Sequence, residues 1–297
     1  MPDLDDLFGS QDRIRSTARI VIPLGIISVS FAAIFIRLSD SHPIAVAFYR
    51  MFFSAALLLI FMPPYIGSLK KVSKREWITL ITTGLLLAVH FASWIASLDY
   101  TSVASSAILV STHPLLVAWI SSWYLKERTS LKAYAGIGIA LVGVAVMTFS
   151  NYRMSGRAFF GDLLAIIGMF ALAGYILRGR KIRQNMSVIP YAFVVYLFSS
   201  IFLALFSIPF STTFAIYPGR EYLLFFALAL IPTVAGHTLF NWGLKHVKAR
   251  IISVSFLGEP MGASILAFLI LKEVPPRLTI FGGMIALTGI YVCTRFE

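Results

Sequence analysis

The sequence predicts an all-α integral membrane protein in which ten transmembrane helices form two inverted five-helix repeats around a central cavity. Three observations predict this fold. Hydrophobic residues make up 58% of the 297 residues and charged residues only 13%, about half the charged fraction of a soluble domain. Ten apolar runs of about 20 residues, each long enough to cross a bilayer, follow one another along the chain. The second half of the chain also repeats the first.

The ten apolar runs leave no room for a soluble catalytic domain, because only loops and tails separate them. The first run is not an evident cleavable signal, since no small-residue cleavage site follows it and further spans do. In chain order the runs cover residues 20–37, 44–62, 77–98, 103–125, 131–149, 160–178, 189–209, 221–244, 250–271 and 277–294.

A duplication divides the chain. Pro114 matches Pro260, Lys126-Glu127 matches Lys272-Glu273, and 11 of the 35 positions from 114 to 148 are identical to their counterparts 146 residues later. So long a gap-free repeat indicates a duplicated unit. Because five spans is an odd number, the second copy is inverted in the membrane, and inverted repeats commonly enclose a central pathway. The predicted divisions are a polar cytoplasmic tail (1–19), a first five-helix repeat (20–149), an outer linker (150–159) and a second five-helix repeat (160–297).

The net charge of +12 is a topology signal rather than a sign of nucleic-acid binding. With a cytoplasmic N-terminus, 18 of the 25 lysines and arginines fall in inner loops and tails and six in outer loops. This asymmetry follows the positive-inside rule and predicts that both termini are cytoplasmic. We expect an integral protein of a prokaryotic cell membrane, the inner or plasma membrane. Its basic loops attract anionic lipid weakly.

The layout of the chain resembles that of a known family. Phe48-Tyr49-Arg50 in the second span, the paired Pro…Lys-Glu…Gly patterns and Gly258-Glu259-Pro260 in the ninth resemble the EamA-type members of the drug/metabolite transporter superfamily. The resemblance covers residues 20–294. It implies a basket of ten helices around a central cavity that moves small metabolites, often outward.

Two prolines in the middle of spans mark the candidate site. Pro114 and Pro260 each remove one helix hydrogen bond, which frees the carbonyls of Val110 and Phe256. A lone membrane proline is often only a packing kink, but two at equivalent repeat positions favour hinges beside a cavity. The preceding residues, His113 and Glu259, lie near mid-membrane, where an ionisable group is a functional candidate by default. Each binds substrate or carries a proton, or else makes a static bond that fixes the helix crossing.

Other polar residues inside the spans are further candidates for substrate binding. His90 and Trp94 share one face of span three by their i, i+4 spacing, while His237 and Asn241 do the same on span eight. Ser255 precedes Glu259 by one turn. Each of these also fits simple helix packing, the commoner role of membrane serines.

Arg50 lies inside span two, about six residues from its outer end. It either attracts a substrate carboxylate or acts as an anchor that pairs with Asp40 or Asp99, and the sequence does not choose between them.

The sequence favours a transporter over the other membrane classes. An enzyme is disfavoured because no H-E-x-x-H, P-loop or G-x-S-x-G motif is present. Neither a metal site nor a cofactor is expected. A channel lacks filter-like sequences, and a non-transporting sensor or scaffold is excluded least firmly.

We therefore expect a secondary transporter that works by alternating access, as a monomer or weak dimer in the bilayer. Its predicted substrates are small amphiphilic metabolites such as amino acids. Export is the expected direction, and protons are one candidate coupling ion.

Overall fold

The computed structural model describes residues 11–97, 100–101, 106, 109–149, 158–211, 215–272, 274 and 277–296. All regular secondary structure in these ranges is helical, as a bilayer requires of a chain that must satisfy its own backbone groups. Residues 1–10 of the predicted tail and 150–157 of the predicted linker lie outside the described residues. The helices are α1 (Gln11–Leu38), α2 (Pro43–Leu59), α3 (Lys74–Ser97), α4 (His113–Tyr124), α5 (Leu131–Phe149), α6 (Ala158–Arg183), α7 (Val188–Ser207), α8 (Gly219–Leu228), α9 (Thr238–His246), α10 (Ala249–Ser255), α11 (Glu259–Leu266) and α12 (Arg277–Arg295).

Several shorter helical segments interrupt or extend these helices. Two of them are π-helical, Ala229–His237 between α8 and α9 and Ala267–Leu271 after α11. We call Ala229–His237 the π segment. Phe256–Gly258 is a 3₁₀ turn between α10 and α11. π-Helical turns are rare and often mark functional positions.

Six helices within the described ranges are long and apolar enough to cross a membrane. A seventh is added if Pro43–Leu59 and Pro63–Leu69, bent by 77° at the intervening break, form one span. Two further helices, Leu131–Val146 and Ile280–Arg295, are also apolar but shorter. The all-helical fold class is therefore confirmed, whereas the count of ten spans stays a prediction.

The described chain forms two compact units. Unit A consists of Met1–Ala88 and Arg178–Val247, and unit B of Val89–Leu177 and Lys248–Glu297. Unit A joins a segment of the first sequence repeat to one of the second, whereas Val89–Leu177 of unit B itself runs from the first repeat through the linker into the second. The repeats are thus units of sequence, and each compact unit is built from parts of both.

Unit A packs its helices around the π segment. The core includes Ala32 of α1, Val46 of α2, and Phe225 and Leu228 of α8. Gly236 in the π segment allows a close approach to α1, since a Cβ added there would lie 2.8 Å from a methyl group of Val29.

Unit B is held together by a close crossing of α5 and α12. A Cβ added to Gly136 would lie 2.9 Å from the carbonyl oxygen of Gly289, and one added to Gly143 would lie 2.6 Å from that of Gly282. Such distances leave no space for a side chain, so glycine lets the two backbones touch. Gly136 and Gly282 are repeat equivalents, as are Gly143 and Gly289. Each glycine of α5 therefore contacts the equivalent of the other one on α12, and the two helices are antiparallel copies of each other.

The lysine of the repeated Lys-Glu pair has a left-handed backbone conformation in both copies. Lys126 has φ 57° and Lys272 has φ 60°, and both residues immediately follow a span. In unit B the carboxylate Oε2 of Glu127 accepts a hydrogen bond of 3.0 Å from the backbone N–H of Ala249. Because the first N–H groups of a helix have no partner within it, Glu127 caps α10. The equivalent Glu273 lies outside the described residues.

Candidate functional site

Two helix breaks in unit B occupy equivalent positions of the sequence repeat. One precedes α4, which begins at His113-Pro114 after a turn at Ser111 and Thr112. The other precedes α11, which begins at Glu259-Pro260 after the 3₁₀ turn. Both prolines lie in the first turn of a new helix, where no N–H donor is needed and proline is well tolerated.

Both carbonyls that the prolines were expected to free have partners. The Val110 carbonyl accepts a hydrogen bond of 3.0 Å from Nδ1–H of His113. The Phe256 carbonyl accepts a bond from the backbone N–H of Glu259. In each break, therefore, the residue before the proline satisfies the freed acceptor, through its side chain in the first copy and its backbone in the second. Whether the two breaks act as hinges stays a prediction.

His113 connects the two breaks within unit B. Its side chain is 2% exposed, and its ring centre lies 6.2 Å from that of Phe256 at an angle of 72°. Phe256 is three residues before Glu259, which is half-buried at the start of α11. The structure thus brings His113 into the turn that leads to Glu259.

Ser255 is 1% exposed. Its hydroxyl donates to the Ile251 carbonyl at 2.7 Å, the local bond typical of a serine that packs inside a membrane helix.

His90 and Trp94 form a second polar and aromatic pair in unit B. Nδ1–H of the buried His90 donates to the Gly168 carbonyl of α6 at 3.0 Å. The rings of His90 and Trp94 stack with centres 5.9 Å apart and planes inclined by 6°. The absence of a side chain at Gly168 lets α6 approach, since a Cβ there would lie 3.1 Å from Oγ of Ser93. The pair therefore has a defined orientation, with Trp94 still half-buried.

Arg50 of the first copy lies in unit A and contacts the π segment. Arg50 is 3% exposed, and its Nε–H donates to the Thr233 hydroxyl of the π segment at 2.7 Å. Asp40 instead forms an exposed ion pair with Arg220, with the two charged atoms 3.4 Å apart. Asp99, the other anchor, lies outside the described residues.

Asn241 joins a buried network around the π segment. Its Nδ2–H donates to the Tyr196 hydroxyl at 3.2 Å, and the Tyr196 and Thr238 hydroxyls are 3.2 Å apart. The Thr238 hydroxyl also donates to the Thr233 carbonyl at 3.3 Å, which connects the network to Arg50. His237, which is 6% exposed, is the last residue of the π segment.

Tyr196 was missed by reasoning from polar stripes, because a tyrosine in an aromatic-rich span does not stand out. The repeat could have found it: Tyr196 stands 146 residues after Arg50, and so is its equivalent in the second copy.

Comparisons with known proteins decide the family. The model of the EamA-like transporter family matches residues 18–149 and again residues 159–295. The chain belongs to the EamA-like transporter family. Two Archaeoglobus fulgidus proteins, each described as an uncharacterized transporter, are similar to this EamA-like transporter. One is 27% identical over 89% of this chain and 92% of its own length, and the other is 24% identical over 92% and 95%.

A solved crystal structure has the same fold as this EamA-like transporter. It covers 94% of this chain and 97% of its own, with a TM-score of 0.81 and 18% sequence identity. At this identity the likeness shows the fold alone. Family and apolar helices together identify an integral membrane transporter.

Proposed function

We propose that this EamA-like transporter is a secondary transporter that exports small amphiphilic metabolites, for example amino acids, by alternating access. The observation that carries the proposal is the pair of equivalent helix breaks in unit B. Broken membrane helices at equivalent repeat positions are typical of substrate sites in transporters built from inverted repeats. Here the ring of His113 packs against that of Phe256, three residues before Glu259.

In this proposal Glu259 recognises the cationic end of the substrate. Glu259 is half-buried at the start of α11. An ionisable group inside a membrane is a functional candidate by default, and a carboxylate suits a substrate ammonium group. His113 lies in the adjacent turn as a hydrogen-bonding neighbour. The stacked His90 and Trp94 offer an aromatic face suited to a cation or an apolar side chain. Pro114 and Pro260 allow the helices to bend at the breaks.

The remaining candidates have smaller proposed roles. Ser255 contributes through its position one turn before Glu259. Unit A holds a second group, Arg50, His237 and Asn241, in and around the π segment. Of these, Arg50 is suited to a substrate carboxylate, because a guanidinium offers a fork of donors to such a group.

A ligand-stabilisation screen tests the proposed site. Purified protein in detergent is heated with single amino acids, amines, nucleosides and organic acids, and its unfolding temperature is measured. A ligand at 100 times its dissociation constant adds about 2.7 kcal/mol to the free energy of unfolding. Glu259→Gln should abolish the shift that an amine-bearing ligand gives. Asp40→Asn is the matched control, because it also removes one carboxylate charge but at the exposed ion pair.

Flux in proteoliposomes then tests transport itself. The ligand found in the screen should move across the vesicle membrane with saturable kinetics, and His113→Ala and Glu259→Gln should both reduce the rate. Wild-type rates in both variants would move the site elsewhere. Binding without any flux would favour a sensor or scaffold.

A further inference from the structure

The chain turns sharply where α2 ends. The short helical segment Pro63–Leu69 is bent by 77° from α2 at the break between them. Four cations follow it within six residues, namely Lys70, Lys71, Lys74 and Arg75. We call residues 60–75 the basic elbow. Because α2 is an apolar helix of a membrane protein, a segment inclined so steeply to it runs along the membrane surface rather than across the bilayer.

The basic elbow exposes apolar side chains beside these charges. Ile60, Phe61 and Ile66 are 70%, 58% and 51% exposed, and the four cations are exposed as well. Segments that lie in the membrane interface bind lipid through this combination, since their apolar groups reach the acyl chains while their cations stay at the headgroups. The elbow therefore has the character of a lipid-contacting segment rather than of a solvated loop.

The four cations are not used within the described part of the chain, where their side chains form neither a hydrogen bond nor an ion pair. Glu76 is the only acidic residue between Asp40 and Asp99. Its Oε2 accepts hydrogen bonds from the backbone N–H and the hydroxyl of Ser73, at 2.8 and 2.7 Å, in a capping box that begins α3. Lys74 and Arg75 lie in the first turn of α3, where the helix dipole disfavours cations. Folding of the chain does not account for this cluster, whereas an external anion does.

The internal repeat provides a comparison for the basic elbow. Pro209 is the equivalent of Pro63, and in the loop that follows it Ile216-Tyr217 takes the place of the two adjacent lysines. The one cation near the end of that loop, Arg220, forms an ion pair with Asp40 at 3.4 Å. The unpaired cluster is thus present only in the copy whose loop is predicted to be cytoplasmic, the side on which anionic headgroups attract basic segments next to a span.

We propose that the basic elbow binds the phosphate headgroups of anionic membrane lipids, with Phe61 and Ile66 among the acyl chains and the four cations at the phosphates. The proposal goes beyond the proposed function, because it concerns a lipid contact of unit A and holds whatever substrate is transported. It also differs from the weak attraction expected of every basic loop. A diffuse attraction depends on the number of exposed cations, whereas a site depends on which cations they are.

Native mass spectrometry of the full chain in detergent tests the proposal. The protein receives equal amounts of phosphatidylglycerol and phosphatidylcholine with the same acyl chains, and the lipids that stay bound are counted. We expect the wild type to prefer phosphatidylglycerol. Replacing the four elbow cations by glutamine should reduce that preference by roughly tenfold or more, since each cation at a headgroup contributes about fivefold. The matched control removes four other exposed cations of the predicted cytoplasmic side and should keep the preference: Arg19→Gln, Lys126→Gln, Arg128→Gln and Arg295→Gln.

Three outcomes would overturn the proposal. An unchanged preference in the elbow variant would do so, as would equal losses in the elbow and control variants, because net charge alone would then explain the binding. Displacement of phosphatidylglycerol by the same concentration of inorganic phosphate would assign the elbow to a free anion. Circular dichroism checks the fold of each variant, and Lys70→Gln with Lys71→Gln, in the turn before α3, is the milder variant that should lose part of the preference. Lipid retention requires no transport, so this proposal and the proposed function fail separately.

Discussion

Units A and B keep their buried polar groups in different ways. In unit A, Arg50, Thr233, Thr238, Tyr196 and Asn241 bond to one another or to the backbone across α2, α7, the π segment and α9. Unit B is held together by the glycine crossing of α5 and α12. At its breaks, the side chains bond mainly to backbone carbonyls. Buried polar atoms without a partner among the described residues occur in both units, at His113 and Ser253 in unit B and at Ser199 in unit A.

The network around the π segment and the breaks of unit B therefore differ in how their side chains are held in place. A fully connected polar network fixes one arrangement and is costly to disturb. Where packing is supplied by backbone contact instead, polar groups elsewhere need not be satisfied for the unit to hold together. The breaks of unit B are one part of the described chain in which buried polar atoms have no partner.

The largest expected effect concerns the packing of unit B. Gly143→Ala should lower the free energy of unfolding by about 3 kcal/mol, the upper end of the usual cost of overpacking, because the new methyl group would meet the backbone of Gly282 and Ala286. Gly138→Ala on the same helix is the control. Nothing lies within 4 Å of its added Cβ, so it should be neutral or stabilise by up to about 1 kcal/mol. Chemical unfolding in detergent measures both, and equal effects would mean that α5 and α12 are not in close contact.

A smaller loss is expected from the network of unit A. Thr233→Val keeps the shape of the side chain but removes the acceptor of the Arg50 bond. Since hydrogen bonds to charged groups contribute about 1.5–3 kcal/mol, the free energy of unfolding should fall by that amount. Thr288→Val is matched to it, because Thr288 is exposed and bonds only to its own helix, at the Met284 carbonyl. If the two variants are equally stable, the network contributes nothing measurable.

The smallest effect should come from a break of unit B. Ser253→Ala removes a buried hydroxyl without a partner in the described part of the chain. We expect no loss of stability and a gain of up to about 1 kcal/mol, because the cost of desolvating an unpaired group is relieved. The same unfolding experiment decides it. A loss comparable to that of Thr233→Val would show that Ser253 has a bonded partner, and the contrast between the units would disappear.

The sequence predicts those features that depend on residues close together in the chain or on the internal repeat. Apolar runs predict helices because a bilayer permits little else. The positions of Pro114 and Pro260 predict breaks because proline lacks a donor. Each of these signals is read from a residue and its neighbours in the chain, or from its counterpart 146 residues away.

The remaining features depend on contacts between distant segments. The π segment contains Pro232, but its extent depends on packing against α1 and α2, which no local pattern encodes. The partner of Arg50 could not be chosen, because Thr233 is 183 residues away and threonine is common in membrane helices. For the same reason, the repeat divides the sequence into two copies yet does not reveal that each compact unit takes residues from both.

That interleaving has a consequence for how the protein is made. Met1–Ala88 can complete unit A only with Arg178–Val247, so its helices enter the membrane long before the ribosome has synthesised the residues that pack against them. Unit B waits longer still, for Lys248–Glu297. Helix faces that later pack together must therefore stay exposed to lipid or to insertion factors through most of synthesis. A fragment containing one repeat alone lacks some of the residues that form each unit. Folding by units of this kind is necessarily late, even though insertion into the membrane begins early.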